Sequence, residues 1–383
     1  MAGPVCAQFD ELRADSTDAE FGYALAVDSA ASRFAVSAPA EAAVYLYLCD
    51  AQRCGLEQKL QGAAGRGFGA ALALEGDRLA VGEAGADSVR VFRRVSGSWT
   101  AETTLAAAAP LAGSRFGEAL ALRGERLAIG APRQANGAVH VFSVGGSRWT
   151  QTQTVFAQDA QARRFGARLV LLPDQLLVAA PLAASPGSYA NGRVEVHAEG
   201  SAGFGFIQAL QPVAPMGGEL FGHALAAQGG RLLVGSPGAA AGAGRVQVFE
   251  RGLGGWSLRT SLQPPTDVTG VATRFGWSLA QDGTRVLVGE PFAQAPAGGL
   301  CGVAHAFIDN AGTLTPAAVP YRDRQPGGLF GFAVGLAGPR ALIAAPGQSD
   351  VQAVGRVFSA DLALSLYGHG FELPWPACAP AAP

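Results

Sequence analysis

Apolar and polar positions alternate along most of this chain in short runs of about five residues. Ala119-Leu120-Ala121-Leu122 and Val139-His140-Val141-Phe142 are two such runs, and tight polar turns such as Arg123-Gly124-Glu125-Arg126 separate them. A period of two predicts β-strands, because successive side chains of a strand point to opposite faces. The pattern therefore predicts an all-β chain of many short strands joined by hairpin turns.

The strands are organised into one repeated unit of about fifty residues. Each unit opens with a Phe-Gly pair and a first strand, and a polar turn then leads to a second strand that ends at a proline in six units. A loop, a third strand and a fourth strand that often opens with Trp complete the unit. The seven pairs that open units are spaced 47 to 56 residues apart and begin at Phe21, Phe68, Phe116, Phe165, Phe221, Phe275 and Phe330.

A four-stranded sheet that is apolar on both faces cannot bury itself alone, whereas radial stacking buries both faces and leaves only short edges. The repeat therefore predicts a single domain over residues 1–383, a seven-bladed β-propeller of four-stranded antiparallel blades with a tail over 363–383. Residues Cys6 to Leu12 precede the first unit, so we expect the N-terminal strand to complete the last blade. A competing interpretation uses Ala363 to Leu366 instead.

The run from Phe116-Gly117 to Ile129-Gly130-Ala131-Pro132 resembles the FG-GAP repeat of integrin α-subunit propellers and their bacterial relatives. The resemblance extends over about residues 5–362. It implies an extracellular seven-bladed propeller that serves in adhesion or ligand binding. Repeats of that family often carry an Asp-rich calcium loop between the first two strands. Here that connection has only two to four residues, too few to supply six to eight oxygens, so we predict neither calcium nor another cofactor.

The charge and apolar content exclude several classes of function. The net charge is −2, which argues against nucleic acid as the main partner because such partners require a basic surface. The sequence contains no run of about 18 apolar residues, so it predicts no transmembrane helix. Residues Met1 to Asp10 lack the charged and apolar regions of a signal peptide. No Gly-x-Ser-x-Gly, His-Glu-x-x-His or phosphate-loop motif is found, so we predict that the protein is not an enzyme. We also expect it to be monomeric.

The five cysteines predict two disulfides. Cys49 and Cys54 lie five residues apart, with no His or second Cys pair nearby to complete a zinc site. Cys6 and Cys378 lie near opposite ends of the chain, where a bridge would latch the ring, and Cys301 is left over. Two disulfides favour an oxidising compartment, so we expect a secreted, cell-surface or periplasmic location.

One face of the predicted propeller carries the connections from strand two to three and from strand four to the next strand one. We call it the long-loop face. Binding residues concentrate on loops of a rigid scaffold, and the longest loops here are Pro181 to Asn191, Pro291 to Gly302 and Pro346 to Gly355. These loops carry the expected ligand contacts.

Arginines and two ring side chains are the candidate binding residues. Arg115, Arg164 and Arg274 each precede a Phe-Gly pair and Arg66 lies close to another, so they predict a cationic rim for carboxylate ligands. The alternative is that they are solvated or pair with local acids. His223 and Trp277 follow a Phe-Gly pair directly, so they approach the central channel or, alternatively, pack between blades.

The histidines do not predict a metal site. His140 and His305 occupy a position of the third strand that holds Tyr45, Arg90, Glu195 and Gln247 in other units. Such variety indicates an exposed or half-exposed strand face.

Three hypotheses of function follow. The first is a binding or adhesion module that recognises a protein or glycan through the long-loop face. The second is a structural or assembly component of a cell-envelope complex. The third is an enzyme with a site in the central channel, which ranks last because no acid–base pair is evident.

Overall fold

The structure is a computed structural model that describes most of the chain. Described are residues 10–15, 20–28, 30, 32–50, 53–146, 148–184, 189–213, 215–265, 272–294, 300–310, 312–317, 321–322, 327–338, 340–347 and 355–361. The predicted tail and the alternative closing strand over Ala363 to Leu366 lie outside these residues.

The described residues contain twenty-nine strands in seven sheets and two one-turn 3-10 helices, but no α-helix. The chain begins with β1 (Asp10–Arg13). Blades one to three are β2 (Leu25–Asp28), β3 (Arg33–Ala38), β4 (Ala43–Cys49), β5 (Cys54–Gln61); β6 (Phe68–Glu75), β7 (Arg78–Glu83), β8 (Ser88–Val95), β9 (Ser98–Leu105); β10 (Ala119–Arg123), β11 (Arg126–Ala131), β12 (Ala138–Gly145), β13 (Arg148–Phe156). Blades four and five are β14 (Arg168–Leu171), β15 (Gln175–Ala180), β16 (Arg193–Gly200), β17 (Gly203–Leu210); β18 (Ala224–Gln228), β19 (Arg231–Ser236), β20 (Arg245–Gly252), β21 (Gly255–Leu262).

The last two blades depart slightly from this plan. In blade six the outermost strand is in two pieces, β25 and β26, which both pair with β24. Blades six and seven are β22 (Ser278–Asp282), β23 (Arg285–Glu290), β24 (Val303–Asn310), β25 (Thr313–Pro316), β26 (Tyr321–Arg322); β27 (Ala333–Ala337), β28 (Arg340–Ala345), β29 (Arg356–Asp361). The 3-10 helices are Pro39–Glu41 and Ala240–Gly242.

The ring closes through the N-terminal strand, as the sequence predicts. Strand β1 pairs antiparallel with β29, with Asp10 opposite Ser359 and Arg13 opposite Arg356. It therefore supplies the fourth strand of blade seven, whose other strands come from the end of the chain. The innermost strands of neighbouring blades contact one another around the whole ring, including β27 against β2. The fold is a seven-bladed β-propeller of antiparallel blades.

The Phe-Gly pair forms a tight turn at the entrance to each blade. In blade three the Glu118 N–H donates to the Arg115 carbonyl at 3.0 Å, so Phe116 and Gly117 are the two central residues of a β-turn. Gly117 has φ +93°, and a type II turn requires a positive φ at this position. The Gly117 N–H then donates to the Gly130 carbonyl at 3.0 Å, which ties the turn to the second strand.

A second glycine lets neighbouring blades approach closely. A Cβ on Gly130, in blade three, would lie 2.1 Å from the Gly166 carbonyl oxygen of blade four. Gly82, Gly235 and Gly289 make the same approach to the next blade. The glycine near the end of the second strand is therefore a contact point between blades in these four units.

The core consists of seven layers, and each layer lies between two neighbouring blades. One such layer joins Val139 and Val141 of blade three to Phe165, Leu176 and Val178 of blade four. The Phe side chains of the Phe-Gly pairs are almost wholly buried in these layers. Each sheet thus buries both faces, which is the physical reason for a closed ring.

The position of His140 and His305 in the third strand is buried, so the prediction of an exposed strand face there is wrong. Both imidazoles are 2% exposed. They pack edge-on against the Phe side chains of Phe116 and Phe275, with ring centroids 5.3 and 5.5 Å apart. Nε2 of His305 lies 2.6 Å from Oε2 of the buried Glu290. His140 also has a partner in its layer, since its Nε2 lies 2.9 Å from Oε1 of Gln134. These partners allow polar side chains to be buried at this position.

Glutamine side chains join the outer edges of several blades. The Gln153 amide donates to the Phe204 carbonyl and accepts from the Phe204 N–H, both at 2.8 Å. Gln208 makes the same pair of bonds to Trp256, at 2.7 and 2.8 Å. These bonds satisfy backbone groups of the outermost strands, which would otherwise be unpaired at this edge.

The structure contains the predicted disulfide between Cys49 and Cys54, which links β4 to β5. Cys301 is also disulfide-bonded, so the prediction that it is the left-over cysteine is wrong. Cys6 and Cys378, the other predicted pair, lie outside the described residues. The described part of the chain has no helix with the length and apolar character needed to cross a membrane.

Candidate functional site

The residue that directly follows each Phe-Gly pair opens the innermost strand and faces the channel; we call this the axial position. Residues at this position in five different blades line one cavity, which is possible only at the axis of the ring. From blade one to blade seven the axial residues are Tyr23, Ala70, Glu118, Ala167, His223, Trp277 and Phe332.

Four ring side chains fill one side of the channel mouth. The centroids of Tyr23 and Phe332 are 5.7 Å apart, and those of Phe332 and Trp277 are 5.8 Å apart. His223 packs against Trp277 with centroids 4.3 Å apart. These residues come from blades one, seven, six and five, so they form a continuous arc. We call it the aromatic arc.

The opposite side of the channel mouth is open because the axial residues of blades two and four are alanines. A cavity of about 320 Å³ occupies this space. It also reaches the connections between the second and third strands, which place it on the long-loop face. Its lining consists of Tyr23, Ala70, Arg115, Glu118, Arg133, Arg164, Ala167, Arg168, Pro181 and His223.

Arg168 is the residue of the cavity that departs most from the repeat. The corresponding residue is alanine or serine in the six other blades, at positions 24, 71, 119, 224, 278 and 333. Small residues are expected there because the innermost strands crowd together near the axis. Arg168 instead extends into the channel, where its Nη1 donates to the Ala167 carbonyl at 2.8 Å. Its side chain is exposed to the cavity although protein surrounds it, and this enclosure lowers the pKa of the guanidinium.

Two of the predicted rim arginines share one carboxylate. Nε of Arg115 lies 3.0 Å from Oε2 of Glu118, and Nη2 of Arg164 contacts Oε1 of the same side chain. Both arginines therefore pair with a local acid, which is the alternative that the sequence left open. Arg133 and Arg168 form no ion pair with an acid among the described residues. Four arginines and one glutamate give the lining a formal charge of +3.

The cavity holds His223 in its neutral form. Its burial, together with the charges of Arg168, Arg164 and Arg274, lowers the pKa of the imidazole to about 3. A neutral imidazole has one nitrogen that donates and one that accepts. His223 can therefore bind a hydroxyl group of a ligand without adding another positive charge.

The structure groups most of the predicted binding residues and separates one of them. Arg115, Arg164 and His223 line the cavity, and Trp277 stands behind His223 in the aromatic arc. Arg274 is close enough to influence His223, and its Nη1 donates to the Pro237 carbonyl at 3.4 Å. Arg66 lies apart, with its Nε 3.6 Å from Oε2 of Glu83.

The sequence reasoning did not single out Arg133 and Arg168. Aligning the seven units would have identified Arg168, because it is the one large residue in a column of alanine and serine. Nothing in the local sequence identifies Arg133, which follows Pro132 in an ordinary turn. It reaches the cavity because the turn lies beside the channel mouth.

The long loops are only partly described. Residues 185–188, 295–299 and 348–354 fall outside the described part of the chain. On the same face, Tyr189 and Met216 are 76% and 67% exposed, and the Gly218 N–H donates to the Tyr189 carbonyl at 2.8 Å. The loops of blade four therefore present apolar side chains to solvent on this face. Among the described residues, no three His, Cys, Asp or Glu side chains are grouped as a metal site would require.

Comparisons with known proteins agree with this architecture. No curated protein sequence matches the chain. Hydrazine synthase from Kuenenia stuttgartiensis has a similar structure, with a TM-score of 0.57 and 13% identity over 87% of this chain and 94% of that chain. A putative 6-phosphogluconolactonase from Bacteroides uniformis superposes with a TM-score of 0.56 and 13% identity over 79% of this chain and 85% of that chain. At this identity the likeness shows the propeller fold alone.

The comparison with family models agrees with the repeated unit found in the sequence. Residues 99–142, which run from the fourth strand of blade two through the third strand of blade three, match the FG-GAP repeat family. All seven blades open with the same Phe-Gly turn, whose glycines have φ between +85° and +98°. The family match and the seven-bladed architecture together support an FG-GAP propeller.

Proposed function

We propose that this propeller is a non-catalytic binding module outside the cytoplasm, which recognises an acidic group of a protein or glycan at the channel mouth. The observation that carries the proposal is the pair Arg133 and Arg168. Both guanidinium groups line the cavity, and neither forms an ion pair with a described acid. An anionic ligand would supply the missing partner, and hydrogen bonds between charged groups are the strongest that a small ligand can make.

The cavity chemistry favours binding over catalysis. General acid–base catalysis needs a group whose pKa lies near the working pH. The pKa of His223 is about 3, well below that range. Glu118 is the single carboxylate among the lining residues that the structure describes, and each of its oxygens contacts an arginine. The expected location is secreted, cell-surface or periplasmic, which the disulfide between Cys49 and Cys54 supports.

The test compares two double variants of the full chain. Arg133→Ala/Arg168→Ala removes the two lining arginines that lack an acid partner. Arg168→Ala restores the residue found in most other blades, so the fold should tolerate it. Arg123→Ala/Arg148→Ala is the matched control, because both arginines are exposed in turns on the opposite face. Binding is measured by biolayer interferometry against acidic glycans, acidic peptides and their neutral counterparts.

We expect acidic ligands to bind more tightly than neutral ones, and more weakly as salt increases. Each charged hydrogen bond removed costs about 1.5–3 kcal/mol, so the cavity variant should bind at least about tenfold more weakly. The control should bind like the unmodified chain. Equal binding by the cavity variant, or no preference for acidic ligands, would overturn the proposal. A purely structural role predicts that outcome.

A further inference from the structure

We infer that the cavity binds a carboxylate-bearing sugar at the end of a glycan, with the carboxylate at Arg133 and Arg168 and the sugar ring against Tyr23. The inference rests on the proposed binding function and names the chemistry of its ligand.

The size of the cavity selects a small ligand group. Its volume of about 320 Å³ lies at the lower end of the range of about 300–1,000 Å³ for small-molecule sites. The aromatic arc closes the channel on one side, and Pro181 and Arg133 stand at the edge of the mouth. This space accommodates one ring-sized group.

The polar lining selects a ligand with many acceptors and one negative charge. Arg115 and Arg164 are partly neutralised by Glu118, which leaves Arg133 and Arg168 as the seat for a carboxylate. The neutral imidazole of His223 and the hydroxyl of Tyr23 can each donate and accept a hydrogen bond. Sugar hydroxyls also donate and accept, so they fit these two groups.

The same lining disfavours an acidic peptide. A peptide brings backbone N–H groups, which only donate, together with its carboxylate. The cavity presents four guanidinium groups, which also only donate, and the oxygens of Glu118 are already occupied. A peptide N–H therefore finds an acceptor only at His223 or Tyr23, whereas each sugar hydroxyl can also accept a hydrogen bond from a guanidinium group.

Tyr23 offers a surface for the ring of the ligand. Its side chain is 42% exposed inside the channel mouth, and Phe332 supports it from behind, with ring centroids 5.7 Å apart. The face of an aromatic ring carries partial negative charge. The C–H groups on one face of a sugar carry partial positive charge, so the two faces attract each other.

The test uses the full chain and defined small probes. These are methyl glycosides of glucuronic, galacturonic and N-acetylneuraminic acid, the neutral methyl glucoside and galactoside, sodium acetate, and an acidic tripeptide. Affinities come from calorimetric titration at low salt. Saturation-transfer NMR identifies which ligand protons lie near protein protons.

At least one acidic glycoside should bind at least about tenfold more tightly than its neutral partner and than acetate. Arg168→Ala should weaken that binding at least about tenfold, and Tyr23→Ala should weaken it several-fold and remove the saturation transfer to the ring protons. Arg123→Ala is the control and should have no effect. Circular dichroism establishes whether each variant is folded. If Tyr23→Ala does not fold, Tyr23→Leu is used in its place.

The remaining outcomes separate this inference from the proposed function. If acetate or the tripeptide binds as tightly as every acidic glycoside, and Arg168→Ala abolishes that binding, the sugar inference is wrong and the proposed function holds. If no acidic probe binds more tightly than its neutral counterpart, the inference fails. If acidic proteins and glycans also fail to bind in the interferometry experiment, the proposed function fails with it.

Discussion

The two glycines at the contact between blades three and four should differ in their tolerance of alanine, because the structure constrains them differently. Gly166 has φ +89°, and a Cβ there would lie 2.6 Å from the Ala138 carbonyl oxygen. Gly130 has an ordinary backbone conformation, but its Cβ would lie 2.1 Å from the Gly166 carbonyl oxygen. Gly145 ends β12 with nothing within 4 Å of its Cβ position, so it is the control.

The expected costs follow from these contacts. Alanine at position 166 must adopt a disfavoured backbone conformation, which costs about 1–3 kcal/mol of stability. It also overpacks the contact between the blades, which costs about 1–3 kcal/mol more. Gly166→Ala should therefore destabilise the fold by about 2–6 kcal/mol. Gly130→Ala has only the overpacking cost of about 1–3 kcal/mol. Ala179 and Ala344 occupy the corresponding position in blades four and seven, so the ring can accommodate this methyl group. Gly145→Ala should stay within about 0.5 kcal/mol of the unmodified chain.

Equilibrium unfolding in urea, followed by tryptophan fluorescence, measures these differences from the midpoint and slope of each transition. The order of destabilisation should be Gly166→Ala, then Gly130→Ala, then Gly145→Ala. If Gly166→Ala is as stable as Gly145→Ala, the Phe-Gly turn does not constrain the contact between blades, and our explanation of the repeat is refuted.

Three further predictions concern single side chains. The pKa of His223 is about 3, so its NMR resonances should not titrate between pH 8 and pH 5, and a midpoint above pH 6 would contradict the enclosed site. The unfolded state takes up this proton near pH 6.5, so acidification below that pH should destabilise the unmodified chain more than His223→Gln. Burial raises the pKa of Glu219, so Glu219→Gln should raise the free energy of unfolding at pH 8, and the difference should vanish below about pH 4, where glutamate is protonated in the unfolded state as well. An equal or lower stability at pH 8 would count against this. Gln208→Leu should lower the free energy of unfolding by about 1–3 kcal/mol, because it leaves the backbone groups of Trp256 unpaired. Gln161→Leu should change it little, because that exposed side chain forms no hydrogen bond within the described part of the chain.

Much of the candidate site could be placed from sequence because it is tied to the repeat. Arg115, Arg164 and His223 were selected by their distance from a Phe-Gly pair, and that distance fixes their place at the channel mouth. Arg66 has a similar sequence context but pairs with Glu83. Its neighbours in space come from another part of blade two, so its spacing in the sequence was a poor guide.

The buried histidines illustrate a second limit. The variety of residues at the position of His140 suggested that this position is exposed to solvent, because a position in the core usually holds apolar residues in every repeat. In the ring, each of these side chains enters a different layer between blades. The contact between Nε2 of His305 and Oε2 of Glu290 forms only within its layer. Which polar partner is present depends on the packing of strands that are distant in the sequence.

The sequence by itself determined that the chain forms seven blades, and it left two candidates for the strand that completes the last one. The number of blades depends on the alternation of apolar residues and on turn residues, which act within a few positions of each other, whereas the pairing of β1 with β29 joins distant parts of the chain. Only the tertiary structure decided which side chains meet at the axis. Tyr23, Arg133, Arg168 and His223 are brought together by closure of the ring, since each blade is rotated relative to the one before it. The cavity exists because alanines at two axial positions face large rings at four others, and no single repeat contains that arrangement.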